Sequence, residues 1–187
     1  MKDNLGMVYV FTGDGKGKTS AAIGTVVRAV GAGMKVAWVA FYKQASWKSS
    51  EVEVLRKLGV EVYLMGKGFR LERLVKIAKI RGGAKVVDTA SEAEHKQAAE
   101  TTLQTAREQL GKADVLVLDE VNNAMADKLV EWRSVLELVQ ARKKTHVILT
   151  GRKARAELVE AADLVTEMKK VKHPYDRGKL AVRGLDF

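Results

Sequence analysis

The hydrophobic positions of this chain fall into short runs separated by longer stretches of mixed character. The runs are rich in valine and end in polar or turn residues. This pattern predicts β-strands at residues 7–11, 35–41, 60–65, 115–118, 146–149 and 164–168. Several runs are apolar at consecutive positions, as in strands covered on both faces, which favours a parallel sheet buried between two layers.

Apolar residues at helical spacing fill the stretches between these runs. They predict helices at residues 18–31, 71–80, 91–112, 128–141 and 154–161. Ser91 and Glu94 have the spacing of a capping box, which places the start of the third of these helices. Because strands and helices alternate along the chain, we expect an α/β fold with a mostly parallel, doubly wound sheet and helices on both faces.

The length of 187 residues favours a single domain, and no repeat or linker divides residues 1–187. The chain has no cysteine, which excludes disulfides, thiolate zinc sites, iron–sulfur clusters and cysteine nucleophiles. The apolar runs are too short to cross a bilayer or to act as a signal sequence. These features predict a cytoplasmic protein without a membrane anchor.

Charge is the unusual bulk property, since 33 basic against 23 acidic residues give a net charge of +10. The excess is concentrated at residues 66–85 and 140–155. Such a balance is typical of proteins that bind an anion, which could be nucleic acid, a membrane surface or a polyphosphate. It is equally typical of a solvated face that keeps a protein soluble.

A glycine-rich stretch, TGDGKGKTS at residues 12–20, follows the first predicted strand and opens the first helix. Its glycines let backbone N–H groups point at a phosphate, the helix N-terminus adds positive potential, and Lys18 supplies a charge. Thr19 is placed to bind Mg²⁺ through its hydroxyl. Thr12 stands where the usual motif has its first glycine. A plain turn would not explain Gly-Lys-Thr at a helix start, so we predict a phosphate loop.

Polar groups also end two other predicted strands, and the carboxyl ends of parallel strands meet at one edge of a sheet. Asp119 and Glu120 follow the run at 115–118. In a phosphate-loop protein an acid at this point holds Mg²⁺ directly or through water, and Glu120 could instead orient a nucleophile. Arg152 follows the run at 146–149 and could neutralise a phosphate or contact a ribose, although a surface arginine in a turn explains it nearly as well.

Together with several other segments, these motifs make the chain resemble the ATP:corrinoid adenosyltransferases of the bacterial and archaeal cobalamin pathway. The resemblance covers nearly the whole chain. It lies in the segments GDGKGKTSAA at 13–22, MGKGF at 65–69, LDEVN at 118–122, TGR at 150–152, ADLVTEM at 162–168 and VKHPYDRG at 171–178. The last two segments are the most specific, because generic phosphate-loop proteins lack them. The spacing of the glycines after Thr12 is also the family's own.

The resemblance implies a RecA-like fold and a reaction in which the cobalt of a corrinoid, reduced to Co(I), attacks the 5′ carbon of ATP and releases triphosphate. It implies a set of residues that bind ATP and its phosphates: Gly13, Asp14, Gly15, Lys16, Gly17, Lys18, Thr19, Ser20 and Arg152. Mg²⁺ (or Mn²⁺) would be held by Thr19, Asp119 and Glu120. Lys18 and Glu120 would be the catalytic residues.

For the corrinoid, the resemblance implies contacts from Phe69, Leu71, His173 and Arg183. In the best-known members the loop after the third strand reads GFTW, and its phenylalanine and tryptophan close the lower face of the corrinoid. Here the loop reads GFRL at 68–71, so Phe69 is kept and Leu71 replaces the tryptophan. Leu71 fits an apolar lid and the core face of its predicted helix equally well.

The resemblance further implies a homodimer, with a flavoprotein-type reductase as a partner and neither nucleic acid nor membrane. Two other classes of function also fit the residues. A RecA-like ATP-binding protein acting on nucleic acid would use the net positive charge, but the chain has few aromatic residues on which bases could stack. The other class is a small-molecule kinase. The related thymidine kinases usually carry a cysteine zinc site, and this chain has no cysteine.

Overall fold

The computed structural model of the protein describes residues 5–47, 49–68, 77–79, 85–87, 90–179, 181–182 and 184–185. The strands in this part of the chain are β1 (Val8–Thr12), β2 (Val36–Ala40), β3 (Glu61–Leu64), β4 (Ile77–Lys79), β5 (Lys85–Val87), β6 (Val115–Asp119), β7 (His146–Thr150) and β8 (Leu164–Glu167). The helices are α1 (Lys18–Gly31), α2 (Ser50–Lys57), α3 (Glu92–Gln109), α4 (Val121–Ala126), α5 (Trp132–Gln140) and α6 (Ala156–Ala161). A short 3₁₀-helix follows at Pro174–Arg177.

The main sheet has the strand order β3-β2-β6-β7-β1-β8, and all its pairings are parallel. Strand β7 therefore lies between β1, which leads into the glycine-rich loop, and β6, which ends at Asp119. The carboxyl ends of β1, β2, β6 and β7 meet at one edge. The predicted α/β class with a mostly parallel sheet is confirmed.

Side chains of β6 alternate between two hydrophobic layers. Val115 and Val117 pack in one layer with residues of α1 and α2, including Val26 and Leu55. Leu116 and Leu118 pack in the opposite layer with residues of α3, α4, α5 and α6. Helices on both faces of the sheet, as predicted, explain why this strand is apolar at consecutive positions.

The helix predicted at 71–80 is wrong where the structure describes it. Ile77–Lys79 is a strand that pairs antiparallel with Lys85–Val87, so that Ile77 lies opposite Val87. Residues 71–76 and 80 lie outside the described residues. The apolar spacing of this stretch resembles a helix, but Gly82-Gly83 between the two strands is a hairpin signal in the sequence that the prediction did not weigh.

Two other predicted helices begin too early. The helix predicted at 128–141 starts at Trp132, since Lys128 has φ of 58°, outside the helical region. The helix predicted at 154–161 starts at Ala156. Helices α2 and α4 were not predicted, because eight and six residues are too few to show a clear period.

The capping box at the start of α3 is confirmed. The Glu94 N–H donates to Oγ of Ser91 at 3.2 Å, and the Ser91 N–H donates to Oε2 of Glu94 at 2.7 Å. The helix ends at Gln109, short of the predicted residue 112. Among the helices of the described part of the chain, none combines the length and hydropathy needed to cross a bilayer.

Candidate active site

The glycine-rich loop between β1 and α1 has a shape that depends on its glycines. Gly13 and Gly17 have φ of 101° and 120°, values that other residues rarely adopt. The N–H of Gly15 donates to the carbonyl oxygen of Met168 at 2.6 Å, and a Cβ at Gly15 would lie 2.7 Å from that oxygen. The loop is therefore packed against the segment that follows β8, and no larger residue fits at Gly15 without a shift.

Lys18 begins α1, and its side chain lies inside this loop. It is 8% exposed, and Nζ donates to the carbonyl oxygens of Gly13 at 2.9 Å and Gly15 at 2.7 Å. Burial lowers the pKa of Lys18, and the nearby Glu120 carboxyl opposes that change. An ammonium group this poorly solvated interacts strongly with an anion, as the predicted role in phosphate binding requires.

Asp119, at the end of β6, is 1% exposed and accepts hydrogen bonds from three directions. Its Oδ1 accepts from the hydroxyls of Thr19 at 3.2 Å and Thr150 at 2.9 Å. Its Oδ2 accepts from Nζ of Lys43 at 2.8 Å. One carboxylate thus links the first turn of α1, the end of β7 and the segment after β2.

Lys43 belongs to this site although the sequence analysis did not name it. Its Nζ also contacts Oε1 of Glu51 at 3.0 Å, and it lies 5.9 Å from the ring centroid of Trp38. Burial opposes the charge on Lys43, but the carboxylates of Asp119 and Glu51 outweigh burial and raise its pKa. Lys43 comes three residues after β2, at the edge where Asp119 lies. The strand-end rule that singled out Asp119 also places Lys43 at this edge, but it does not show that the two side chains pair.

Glu120 adopts an unusual backbone conformation, with φ of 63°, as the residue that caps α4. Its N–H donates to the Thr150 hydroxyl at 2.8 Å, while its Oε2 is buried and has no hydrogen-bond partner within the described residues. Burial, together with the neighbouring charge of Asp119, raises the pKa of Glu120 to about 7. The positive charges of Lys18, Lys43 and Arg152 reduce this shift but do not cancel it.

The oxygens around Thr19, Asp119 and Glu120 fit a hard divalent cation such as Mg²⁺. The unpartnered Glu120 oxygen is the observation that favours this fit. No three His, Asp or Glu side chains in the described ranges group closely enough to hold a metal by themselves. The donor set is therefore of the kind that holds Mg²⁺ through one or two carboxylates together with substrate phosphates.

Arg152 is presented by a turn that α4 holds in place. The N–H of Arg152 donates to Oδ1 of Asn123 at 2.6 Å, and Nδ2 of Asn122 donates to the carbonyl oxygen of Gly151 at 3.3 Å. Gly151 has φ of 122° and lies against both asparagines, so a side chain there would be strained. The turn brings Arg152 to the same cleft as the phosphate loop, where its predicted role would need it.

A cleft of about 410 Å³ lies at the carboxyl edge of the sheet, and Lys18, Thr19, Glu120 and Arg152 face it. It is lined by residues of the phosphate loop and α1 and of five other stretches: Asp14, Gly15, Lys16, Gly17, Lys18, Thr19, Ser20, Ile23, Ser50, Glu51, Glu120, Arg152, His173, Gly184 and Leu185. All the predicted phosphate-binding residues except Gly13 therefore lie around this cleft.

The C-terminal segment forms one wall of this cleft. Nζ of Lys16 donates to the carbonyl oxygen of Leu185 at 2.6 Å, and His173, predicted as a corrinoid contact, lies with the phosphate loop. Phe69, Leu71 and Arg183, the other predicted corrinoid contacts, lie outside the described residues. The roles assigned to the site residues stay predictions.

A larger cavity of about 500 Å³ lies beside the C-terminal half of α1. Its lining is mostly apolar and includes Met7, Tyr9, Ala29 and Ile148. It contains neither the phosphate loop nor the strand-end acids. The smaller cleft is therefore the candidate active site, because it holds the charged groups.

The parallel sheet, with a buried lysine in the loop after β1 and an acid at the end of β6, defines a P-loop nucleotide-binding protein. Comparison with known families makes this class specific. Residues 4–187 match the family described as ATP:corrinoid adenosyltransferase BtuR/CobO/CobP. The chain belongs to this family, and it is a transferase.

Three similar proteins are named as corrinoid adenosyltransferases. A corrinoid adenosyltransferase of Pseudomonas aeruginosa is 39% identical over 194 residues, which cover 100% of this chain and 86% of that protein. Corrinoid adenosyltransferases of Escherichia coli and Salmonella typhimurium are 34% and 35% identical, each over 100% of this chain and 88% of the relative. The similarity extends over the whole of this chain and most of each relative, and it is not confined to the phosphate loop.

Proposed function

We propose that this protein transfers the 5′-deoxyadenosyl group of ATP to the Co(I) centre of a corrinoid, in the biosynthesis or salvage of adenosylcobalamin. The observation that carries the proposal is a charged phosphate-loop cleft in a chain that matches the adenosyltransferase family over residues 4–187. The corrinoid is cobalamin or one of its precursors. The metal, the residue roles and the partners given below complete the proposal.

The reaction needs no general base at the nucleophile. The electron pair of Co(I) forms the bond between cobalt and the 5′ carbon, and the bond from that carbon to the triphosphate oxygen breaks. Triphosphate leaves with the electron pair of the broken bond, and cobalt becomes formally Co(III). The protein has to hold the triphosphate, neutralise the leaving-group charge and position the 5′ carbon over the corrin.

Positive charges around the cleft would bind the triphosphate. Lys18 and the backbone N–H groups of the loop take the phosphate oxygens, as in other phosphate loops. Lys16 and Arg152 line the same cleft and add charge toward the leaving group. These charges interact more strongly with triphosphate as water is excluded from the cleft.

Thr19, Asp119 and Glu120 would hold Mg²⁺ (or Mn²⁺). When bound, the cation neutralises charge on the triphosphate oxygens. The Thr19 hydroxyl and the buried Oε2 of Glu120 are oxygen donors of the hardness that this cation prefers. Asp119 keeps the Thr19 hydroxyl in place through its hydrogen bond.

Phe69, Leu71, His173 and Arg183 would contact the corrinoid. Support comes from the described residues that lead to Phe69. The N–H of Gly66 donates to the carbonyl oxygen of Lys43 at 3.0 Å, and the N–H of Gly68 donates to that of Tyr42 at 2.9 Å. The chain up to Gly68 is therefore held against the segment whose Lys43 contacts Asp119, which is consistent with a corrinoid beside the nucleotide.

Partners and cellular setting follow the family. We propose a homodimer, a flavoprotein-type reductase that delivers Co(I), and a cytoplasmic location. The chain would act as one domain spanning residues 1–187. Neither nucleic acid nor membrane is required for the reaction.

An optical titration tests the ligand class. A Co(II) corrinoid is added to the protein with ATP and Mg²⁺, and its absorption spectrum is recorded. We expect a shift toward a four-coordinate species that requires ATP and is weaker in the Lys18→Ala variant. An unchanged corrinoid spectrum at saturating ATP would contradict the proposal.

A further inference from the structure

Lys43 joins carboxylates from two different elements next to the cleft. Its Nζ lies 2.8 Å from Oδ2 of Asp119 at the end of β6 and 3.0 Å from Oε1 of Glu51 in the first turn of α2. The side chain of Lys43 is 16% exposed, so both ion pairs are largely shielded from water. Glu51 itself lines the cleft.

The ion pair with Lys43 fixes the orientation of the Asp119 carboxylate. A carboxylate rotates easily about its terminal bond, so one donor does not define its plane. Here Lys43 holds Oδ2, while the hydroxyls of Thr19 and Thr150 donate to Oδ1. Without Lys43, only Oδ1 would keep its donors, and the plane of the carboxylate would no longer be fixed from both sides.

We propose that Lys43 is a positioning residue of the metal site, acting through Asp119. It holds the Asp119 carboxylate so that Oδ1 receives the Thr19 hydroxyl and keeps the oxygen of that hydroxyl directed at the cation. Lys43 does not bind the triphosphate itself, because two carboxylates already take its ammonium. This inference rests on the proposed function, and it identifies a residue on β2's side of the site that supports the predicted metal ligands without binding the metal itself.

The test measures how much Mg²⁺ contributes to ATP binding. Calorimetry gives the dissociation constant of ATP in Mg²⁺ and in excess EDTA. The constant in EDTA divided by the constant in Mg²⁺ measures the contribution of the metal to ATP binding. In Lys43→Met we expect this ratio to fall at least tenfold, while the constant in EDTA changes less than threefold. Lys43→Arg, which keeps a charged donor, should recover most of the ratio.

The matched control is Lys57→Met, which also replaces a lysine by methionine. Lys57 is exposed and lies at the end of α2, the helix that carries Glu51. The ratio of dissociation constants in Lys57→Met should stay within twofold of the ratio in the unsubstituted protein. Thermal melting establishes that each variant is folded. Should Lys43→Met not fold, Lys43→Gln replaces it, since glutamine keeps one donor for Asp119. We then expect the ratio to fall at least threefold.

A double substitution tests whether Lys43 acts through Asp119. In the Asp119→Asn background, Lys43→Met should change the ratio less than twofold, since the carboxylate that it positions is gone. If each substitution lowers the ratio independently, so that the two effects multiply in the double variant, the inference is overturned. An equal weakening of ATP binding in Mg²⁺ and in EDTA would also overturn it, because that result marks a direct phosphate contact.

The proposed function is measured separately on the unsubstituted protein. If that protein forms adenosylcobalamin and a folded Lys43 variant keeps the full metal contribution, only the inference on Lys43 fails. If the unsubstituted protein forms no adenosylcobalamin, the proposed function fails. If the unsubstituted protein binds ATP equally well in Mg²⁺ and in EDTA, the role of Lys43 is overturned whatever the corrinoid result.

Discussion

The hydroxyl of Thr19 donates a hydrogen bond of 3.2 Å to Oδ1 of Asp119. The bond joins the first turn of α1 to the end of β6, although β7 lies between β1 and β6 in the sheet. Two of the predicted metal ligands are therefore in contact within the protein itself. A change at either residue is therefore expected to act on the other.

Lys18→Ala should slow adenosylation strongly. The substitution removes a buried charge partner of the triphosphate, which is worth about 2–5 kcal/mol, or roughly 30- to 5,000-fold in kcat/KM. Steady-state kinetics with ATP as the varied substrate measures the loss. Lys57→Ala removes an exposed lysine and should leave kcat/KM within twofold. Full activity in a folded Lys18→Ala protein would show that this loop is not the nucleotide site.

Thr19→Ala should change the metal requirement. Loss of the hydroxyl removes one interaction of about 1 kcal/mol, so the Mg²⁺ concentration for half-maximal rate should rise about fivefold. Thr19→Ser keeps the hydroxyl and serves as the matched control. A metal requirement that rises equally in both variants would assign the effect to the lost methyl group and not to the hydroxyl.

Glu120→Gln should stabilise the metal-free protein at high pH. The pKa of Glu120 is raised from 4.5 to about 7 by burial and by Asp119, so the folded state keeps its proton while the unfolded state releases it. The free energy of unfolding therefore falls as pH rises from 4.5 to 7. Glutamine has no proton that titrates in this range, so the substitution should remove a cost of about 3 kcal/mol at pH 8.

Urea unfolding in EDTA at pH 5 and pH 8 measures this difference. The stability gained by Glu120→Gln should be larger at pH 8 than at pH 5. Parallel pH profiles for the two proteins would contradict the raised pKa. The same substitution should weaken the effect of Mg²⁺ on ATP binding, because it replaces a carboxylate donor.

Phe69→Ala tests the corrinoid side, which rests on the resemblance of the GFRL loop to the family. The variant should bind ATP with unchanged affinity and adenosylate cob(II)alamin under reducing conditions at least tenfold more slowly. Calorimetry and product formation separate the two effects. Loss of folding in Phe69→Ala would instead make Phe69 a core residue and contradict its role as a lid.

Local signals in the sequence predicted much of the fold. Helix α1 has the predicted bounds of residues 18–31, because a glycine loop, an apolar stripe and Gly33 mark its two ends. The capping box of Ser91 and Glu94 placed α3 for a similar reason. The stretch at 71–80 carried apolar residues at helical spacing without such end signals, and at 77–79 that spacing was misleading.

The part of the site that the sequence did not predict depends on the order of the strands. Lys43 and Asp119 are 76 residues apart and meet because β2 pairs with β6. A sequence shows that a strand ends in a polar residue, but not which strand lies beside it. Glu51 was missed for the related reason that it lies on α2, a helix too short to predict. The phosphate loop and the strand-end acids were predictable because each is contiguous in the chain.

The reaction products test the central claim most directly. The protein is incubated without oxygen with ATP, Mg²⁺ and chemically generated cob(I)alamin, and the cobalt and phosphate products are quantified. We predict adenosylcobalamin and inorganic triphosphate in equal amounts, because cobalt attacks carbon and leaves the phosphate bonds intact. A kinase would release ADP and leave the corrinoid unchanged, and a nucleic-acid-dependent ATPase would need DNA or RNA. ADP as the stoichiometric product, without a light-sensitive alkylcobalt species, would contradict the account.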